Sequence, residues 1–366
     1  MTSRLLSAID ARIRTARDPV ENACLRAEKA ALLARQGQLD AARTELRDLR
    51  ARFDSRPHAA VSAWASLAEG LVAYFEDLNA SARDKFLRAL ALSETYRLPN
   101  IEALSAAWLA QADLSSMNFD VMLQHLTKAL TKAPVTLHSA RSRASLVAAE
   151  AYHWAERLDL SLPWYNLAQQ HATAEGDQAT LSALMHNMAW LRTAEARRRS
   201  VSGTPDEIQA KHARLGTESV GRFDQLIGTG SLGSLVPVLR AQVHILDGEF
   251  DQALEILVLH TESARKQGLD RMACVMYADA AWCRVHLGDK AGARVDAQLA
   301  LSCVSDKTHL EDVAMTHSRL SQICASLGED DLSGAHRAAA SDAWREHENR
   351  QRKLLDALVP TIGAPK

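Results

Sequence analysis

Apolar residues recur at spacings of three and four through most of the chain, the period of a helix with one buried face. Short polar turns interrupt these stretches. Four of them, RQGQLDAA, LDGEFDQA, HLGDKAGA and SLGEDDLS, carry Gly37, Gly248, Gly288 and Gly328, and the last three glycines are 40 residues apart. Three related turns lack glycine: FEDLNASA at Asp77, SSMNFDVM at Met117 and ERLDLSLP at Leu158, continuing the register at intervals of 40, 40 and 41. One gap of 90 residues, from Leu158 to Gly248, fits two units plus an insertion of roughly ten residues.

A second position fixes the register. Seven residues before each turn stands a small residue: Ala30, Gly70, Ala110, Ala151, Ala241, Ala281 and Ser321, with Ala189 in the same role inside the long gap. A small side chain lets two helices approach closely where they cross. Five residues after the turn come Ala42, Ala82, Met122, Ala253 and Ala293, and twelve after it Leu49, Ala89, Ala129 and Ala300. These lie on one face of a second helix. The reading is all-α: a leading helix in residues 1–18, then about eight antiparallel hairpins at 19–52, 58–96, 99–132, 136–174, 178–227, 233–267, 270–304 and 309–358. Asp18-Pro19 and Thr204-Pro205 are helix-start signals. The fifth hairpin is irregular, with an insertion near 196–205. The glycine-rich GTGSLGS at 228–234 separates hairpins in 19–227 from those in 235–345, and 346–366 forms a C-terminal helical extension and tail.

Composition agrees with helix. Gly (16) and Pro (9) are scarce, aromatics are 5%, and Ala and Leu supply most of the apolar content. A net charge of −2 gives no sign of a nucleic-acid or membrane surface. No apolar run is long enough for a membrane span, and MTSRLLSAIDARIRTARD lacks a signal-peptide core, so the expected location is cytoplasmic. The five cysteines, Cys24, Cys274, Cys283, Cys303 and Cys324, have no CxxC spacing and read as buried small hydrophobes.

The segments LGDKAGARVDAQLAL, EDLNASARDKFLRAL and MNFDVMLQHLTKAL, with the small residues before their turns, make residues 19–345 resemble the tetratricopeptide repeat (TPR) family. The period of 40 exceeds that family's ~34. The aromatic early in the first helix is mostly missing, and so is a regular closing proline. The longer period is similar to arrays in bacterial signal-responsive activators and peptide-pheromone receptors. The resemblance implies a right-handed superhelical solenoid whose first helices line a concave groove. On those helices the register selects Trp108, Gln111, Tyr152, Asn187, Trp190, Gln242, Asp279, Trp282, Arg319 and Gln322 as candidate peptide- or protein-binding residues. Amides can pair with a peptide backbone without reading its side chains, and Trp and Tyr bury large area with few rotatable bonds. The family's carboxylate clamp, built on first-helix lysines, is not reproduced.

Other chemistry is thin. Glu150-x-x-His153 has the spacing of a di-iron ligand pair but occurs once, and there is no HExxH, phosphate loop or GxSxG. No cofactor or metal is expected. Arg197-Arg198-Arg199-Ser200 reads as a solvated helix end, with an anion or phosphorylation site as the alternative. The last helix ends on Leu354, Leu355, Leu358 and Val359, an apolar tip suited to self-association or to folding back. The leading expectation is a non-enzymatic scaffold, or the sensing part of a signalling system, that grips a polypeptide segment. A receptor for a small peptide signal and a structural assembly subunit are the alternatives.

Overall fold

In a computed structural model, which describes residues 4–53, 57–77, 81–227, 235–306 and 308–365, the described chain is helical and contains no strand. After α1 (Arg4–Thr15) the helices follow in neighbouring pairs. These are α2 (Pro19–Arg35) with α3 (Leu39–Phe53), α4 (Ala59–Asp77) with α5 (Ser81–Thr95), α6 (Pro99–Ser115) with α7 (Phe119–Lys132), and α8 (His138–Trp154) with α9 (Leu158–Glu175). Then come α10 (Gln178–Val201) and α11 (Glu207–Ile227), α12 (Leu235–Leu246) with α13 (Phe250–Ala264), α14 (Ala273–His286) with α15 (Lys290–Ser302), and α16 (Leu310–Leu327) followed by α17 (Asp330–Thr361). First helices of successive pairs also touch: α2 on α4, α4 on α6, α6 on α8, and α12 on α14 on α16. The architecture is repeat-like.

The turns explain the pairing. Gly37, Gly248, Gly288 and Gly328 all adopt φ between 76° and 81°, the left-handed conformation that closes a helix and that glycine enters without strain. At Gly288 the closing bonds run from Gly288 N to Val285 O (3.1 Å) and from Asp289 N to Arg284 O (2.9 Å). Met117 makes the same turn at φ 56°, with Asn118 N bonded to Asp113 O at 2.8 Å. In the next pair the left-handed residue is Glu156, and the Leu158 picked out by the sequence register opens α9 instead. The turn expected beside Asp77 falls at 78–80, and the Gly-rich segment at 228–234; both lie outside the described residues.

The 90-residue gap resolves into one long pair. α10 has 24 residues where α6 and α8 have 17, and it ends at Gly203 (φ 75°), a turn glycine the register passes over. Thr204 does not cap the next helix. Asp206 does, its Oδ1 accepting from Ile208 N and Gln209 N. Asp18 caps α2 as its sequence implies, accepting from Val20 N and Glu21 N ahead of a first-turn proline.

Every small residue of the register is buried: Ala30, Gly70, Ala110, Ala151, Ala189, Ala241, Ala281 and Ser321. The cause is close approach. A Cβ on Gly70 would lie 2.5 Å from the Phe86 ring and 3.2 Å from Ala82 O, so α4 and α5 cross there with no room for a methyl group. The second-helix positions Ala42, Ala82, Met122, Ala253, Ala293, Leu49, Ala89, Ala129 and Ala300 are buried as well.

The described chain forms two compact units. Unit 1 comprises Met1–Leu184, Phe223–Ser231 and Leu354–Lys366, and unit 2 comprises Met185–Arg222 and Leu232–Lys353. The C-terminal tip is therefore part of unit 1, and it is not an exposed apolar end. Leu354 and Leu358 are buried and Leu355 is half-buried; only Val359 stays exposed. Two buried donors fix the segment that follows: Tyr152 Oη and Trp164 Nε1 each donate to Gly363 O at 3.1 Å. Covering leucines with the body of a unit removes more apolar area from water than leaving them on a free helix end. Among the described residues no helix is long and apolar enough to cross a membrane.

Candidate functional site

Each unit holds an arginine stacked on a tryptophan and hydrogen-bonded to a glutamine. In unit 1, the Arg143 guanidinium of α8 lies 4.0 Å from the centre of the Trp108 ring on α6, and its Nη1 donates to Gln111 Oε1 at 3.3 Å. Gln111 Nε2 in turn donates to Glu150 Oε2 at 3.2 Å. The indole is enclosed by further rings: Phe86 stacks on it at 6.1 Å, and Tyr74 and Phe75 approach edge-on at 5.7 and 5.8 Å. Trp108 and Tyr152 are fully enclosed core residues, and Gln111 is buried too. These three candidates were expected on an exposed groove. In this conformation they offer a ligand almost no surface, because the first helices of unit 1 pack closely enough to bury that face.

In unit 2 the register brings most of the remaining candidates onto one face. Asn187, Asp279 and Arg319 stand two positions before their small residues, and Trp190, Gln242, Trp282 and Gln322 stand one after. Positions three apart share a helix face, and α12, α14 and α16 are consecutive neighbours. Burial divides the set. Gln242, Asp279 and Arg319 are buried at 2%, 1% and 2% exposure, whereas Asn187, Trp190, Trp282 and Gln322 are half-buried. Trp190 packs against the cluster of Ala189, Val220 and Leu239, and Trp282 against that of Ala281, Leu320 and Ile323.

The centre of this face is ionic. Arg197 Nη2 donates to Asp279 Oδ2 at 2.6 Å, and Arg319 Nε lies 3.7 Å from Asp279 Oδ1. Arg319 Nη1 donates to Gln322 Oε1 at 2.9 Å, and its guanidinium sits 5.0 Å from the Trp282 ring centre. Gln322 Nε2 reaches Val201 O at 3.4 Å. Burial lowers the Arg319 pKa to about 10 against the pull of Asp279, with Arg197 lowering it further. Burial, then Arg35, lowers Arg143 to about 10. Both guanidiniums remain charged at neutral pH.

The expectation of a solvated end fails at Arg197 and holds at Arg199, which is exposed. Arg197 is buried on Asp279, Arg198 pairs with Glu348 at 2.9 Å and lies over Trp344, and Arg199 bridges Glu195 and Asp206. Sequence reasoning missed Arg143 and Arg197 as site members. Arg143 stands among small residues in SARSRASLVAA and Arg197 opens the basic run, and a register counted from Ala110, Ala151 and Ala189 samples neither.

Other reactive groups are turned inward. Glu150 accepts from Gln111, and His153 Nδ1 lies 3.3 Å from Tyr165 Oη. Among the described residues no group of three or more His, Cys, Asp or Glu converges for a metal. Burial raises the Cys274 thiol to about 11, and burial followed by Asp279 raises Cys283 to about 12. Both are held as neutral thiols, not nucleophiles. The arrangement in unit 2 presents hydrogen-bond donors, a charged pair and two part-exposed indoles. Neither the family models nor the curated proteins compared with this chain give a match.

Proposed function

We propose that the chain is a TPR-like binding protein that holds a polypeptide segment against the first-helix face of unit 2. One observation carries the reading: Trp282 and Gln322 are half-buried at the same register position of α14 and α16, beside a buried Arg197–Asp279–Arg319 centre, and Asn187 and Trp190 are half-buried earlier along α10. Part-exposed indoles held by core contacts are rigid anchors, since little side-chain freedom remains to be lost on binding. Amides beside them can pair with an extended backbone. On this reading the face serves as a scaffold or sensing surface, and the helix stack supplies its rigidity.

The test is selection of a displayed random-peptide library on the full chain. Enriched peptides should bind the parent chain and lose at least tenfold in affinity to the Trp190→Ala/Trp282→Ala double variant, with helicity unchanged by circular dichroism. Equal affinity for parent and variant, or no enrichment, would remove the proposal.

A further inference from the structure

We infer that unit 1 carries its own polypeptide-binding site at the turn end of α8 and α9, and that residues 354–365 of the chain are its resident ligand. The class of segment it takes is a helix with two leucines four residues apart, closed by a glycine. An outside segment of that pattern competes with the resident one. The site is separate from the unit 2 face and does not depend on it.

The pattern of the bound segment is the first argument. Leu354 and Leu358 stand four residues apart near the end of α17 and so share one side of the helix. Both are buried, Leu355 and Ala357 are half-buried, and Asp356 and Val359 are exposed. The helix then stops. Ile362 N donates to Leu358 O at 3.0 Å, and Gly363 adopts φ 55°, a left-handed conformation that glycine enters without strain. The Gly363 carbonyl accepts from Tyr152 Oη and Trp164 Nε1, both at 3.1 Å. An apolar helix side laid into a protein surface and read at positions four apart is a recurrent way to hold a peptide.

The second argument is that unit 1 builds the receiving side from its own helices. Tyr152 lies in the last turn of α8 and Trp164 in the second turn of α9, on either side of the turn at Glu156. Ala149 and Ser161 each stand three residues before one of these rings. Ser161 Oγ donates to Ala149 O at 2.8 Å, which ties α9 to α8 one turn away. Burial raises the Tyr152 hydroxyl above its ordinary value against the pull of Arg157, so it keeps its proton and stays a donor. Two donors on neighbouring helices thus converge on one acceptor position. A backbone carbonyl fills that position whatever side chain it belongs to, and an empty position would leave both donors short of a partner. Selectivity falls to the leucines and to the residue that ends the helix.

The third argument is the way the segment arrives. Met1–Leu184 make up most of unit 1, α17 as far as Lys353 belongs to unit 2, and the chain rejoins unit 1 only at Leu354. Residues 354–365 therefore meet α8 and α9 as a distant segment, much as a ligand would. A tethered segment acts at a high effective concentration, so a free peptide finds the site blocked until the resident one is released.

The experiment uses a fluorescein-labelled peptide with the sequence of residues 351–366, followed by anisotropy, and the full chain in two forms. Leu354→Asp/Leu358→Asp releases the resident segment; the other form is the parent. Saturable binding to the released chain, at least tenfold weaker to the parent, is the expected result. Adding Tyr152→Phe and Trp164→Phe to the released chain should weaken the peptide at least fivefold. No saturable binding to the released chain, equal binding to both forms, or indifference to the loss of both donors would overturn the site. Amide exchange on the parent chain gives a test that needs no variant to fold. The amides of 361–363 should open at least a hundredfold more often than those of α8, and equal protection would show a segment that leaves only when the unit unfolds. Neither failure touches the unit 2 face, whose own test reads Trp190 and Trp282.

Discussion

The two arginine–tryptophan stacks differ in how the charge is met. In unit 1, Arg143 lies 4.0 Å from Trp108 and is linked to the Glu150 carboxylate through the Gln111 amide. In unit 2, Arg319 lies 5.0 Å from Trp282 and shares Asp279 with a second buried arginine. Unit 1 encloses its tryptophan in aromatic rings, whereas unit 2 leaves its tryptophan half-buried. The same three residue types therefore build a sealed core element in one place and a charged, partly open face in the other. In both stacks a buried guanidinium Nε, of Arg143 and of Arg319, meets no hydrogen-bond partner among the described residues, so the stacks differ in counter-charge and in the exposure of the ring.

The sharpest way to break this contrast is charge removal. Asp279→Asn leaves two buried guanidiniums without a carboxylate and should cost about 3–5 kcal/mol of stability. Glu150→Gln keeps a neutral partner for Gln111 and should cost about 1 kcal/mol. Urea denaturation of both variants decides it, and equal losses would erase the difference between the two stacks.

Next in size is packing beneath Trp108. Gly70→Ala pushes a methyl group into the Phe86 ring, which itself stacks on Trp108. We expect a loss of about 1–3 kcal/mol from overpacking. Gly334→Ala, at an exposed position of α17 with nothing near its Cβ, should gain about 1 kcal/mol from helix propensity. Melting temperatures that move the same way would show that the tight crossing is not what demands glycine at position 70.

Acid should act on unit 2 through His347. Burial, then Arg198 and Arg350, lowers this imidazole to about 4. The unfolded chain takes up the proton near pH 6.5 and the folded chain does not, so stability is full above pH 6.5 and is lost as the pH falls toward 4. At pH 5 the loss amounts to about 2 kcal/mol. His347→Gln should flatten that part of the stability–pH curve. Glu311 has the opposite sign: its raised value favours the folded chain at low pH, and that contribution fades as the pH rises through about 7. An unchanged curve in the His347 variant would show that the buried imidazole plays no part.

The smallest effect belongs to the C-terminal segment of unit 1. Tyr152→Phe removes one of two donors to Gly363 O and should cost about 1 kcal/mol, because Trp164 Nε1 still satisfies the carbonyl. Faster amide exchange over 359–365 in the variant would register the loosened anchor. Exchange at the parent rate would mean that Trp164 Nε1, Leu354 and Leu358 hold the segment without Tyr152.

Much of the fold was written in local features. The glycine turns, the helix cap at Asp18 and the small residues from Ala30 to Ser321 depend on backbone conformation and side-chain size, which sequence states directly. The irregular region was harder. Gly203 closes α10 as Gly248 closes α12, yet an α10 longer by seven residues shifts it off the register. The candidate site was legible as a face and not as a chemistry. Asp279, Trp282, Arg319 and Gln322 were readable because equal register places residues on equal sides of stacked helices. Arg197 was not, since the register was counted from Ala189: measured from Gly203 it stands six residues before its turn, as Trp282 does from Gly288, and it reaches Asp279 across 82 residues of chain.

Sequence by itself determined the helices, their pairing turns and which positions pack, because each follows from propensity and period within one or two turns of chain. The tertiary structure alone decided which polar side chains were buried, which charges met, and that Leu354 and Leu358 were covered. Burial and pairing depend on what arrives from distant segments. A single arginine in a helix reads the same whether its partner is water, an amide or a shared carboxylate.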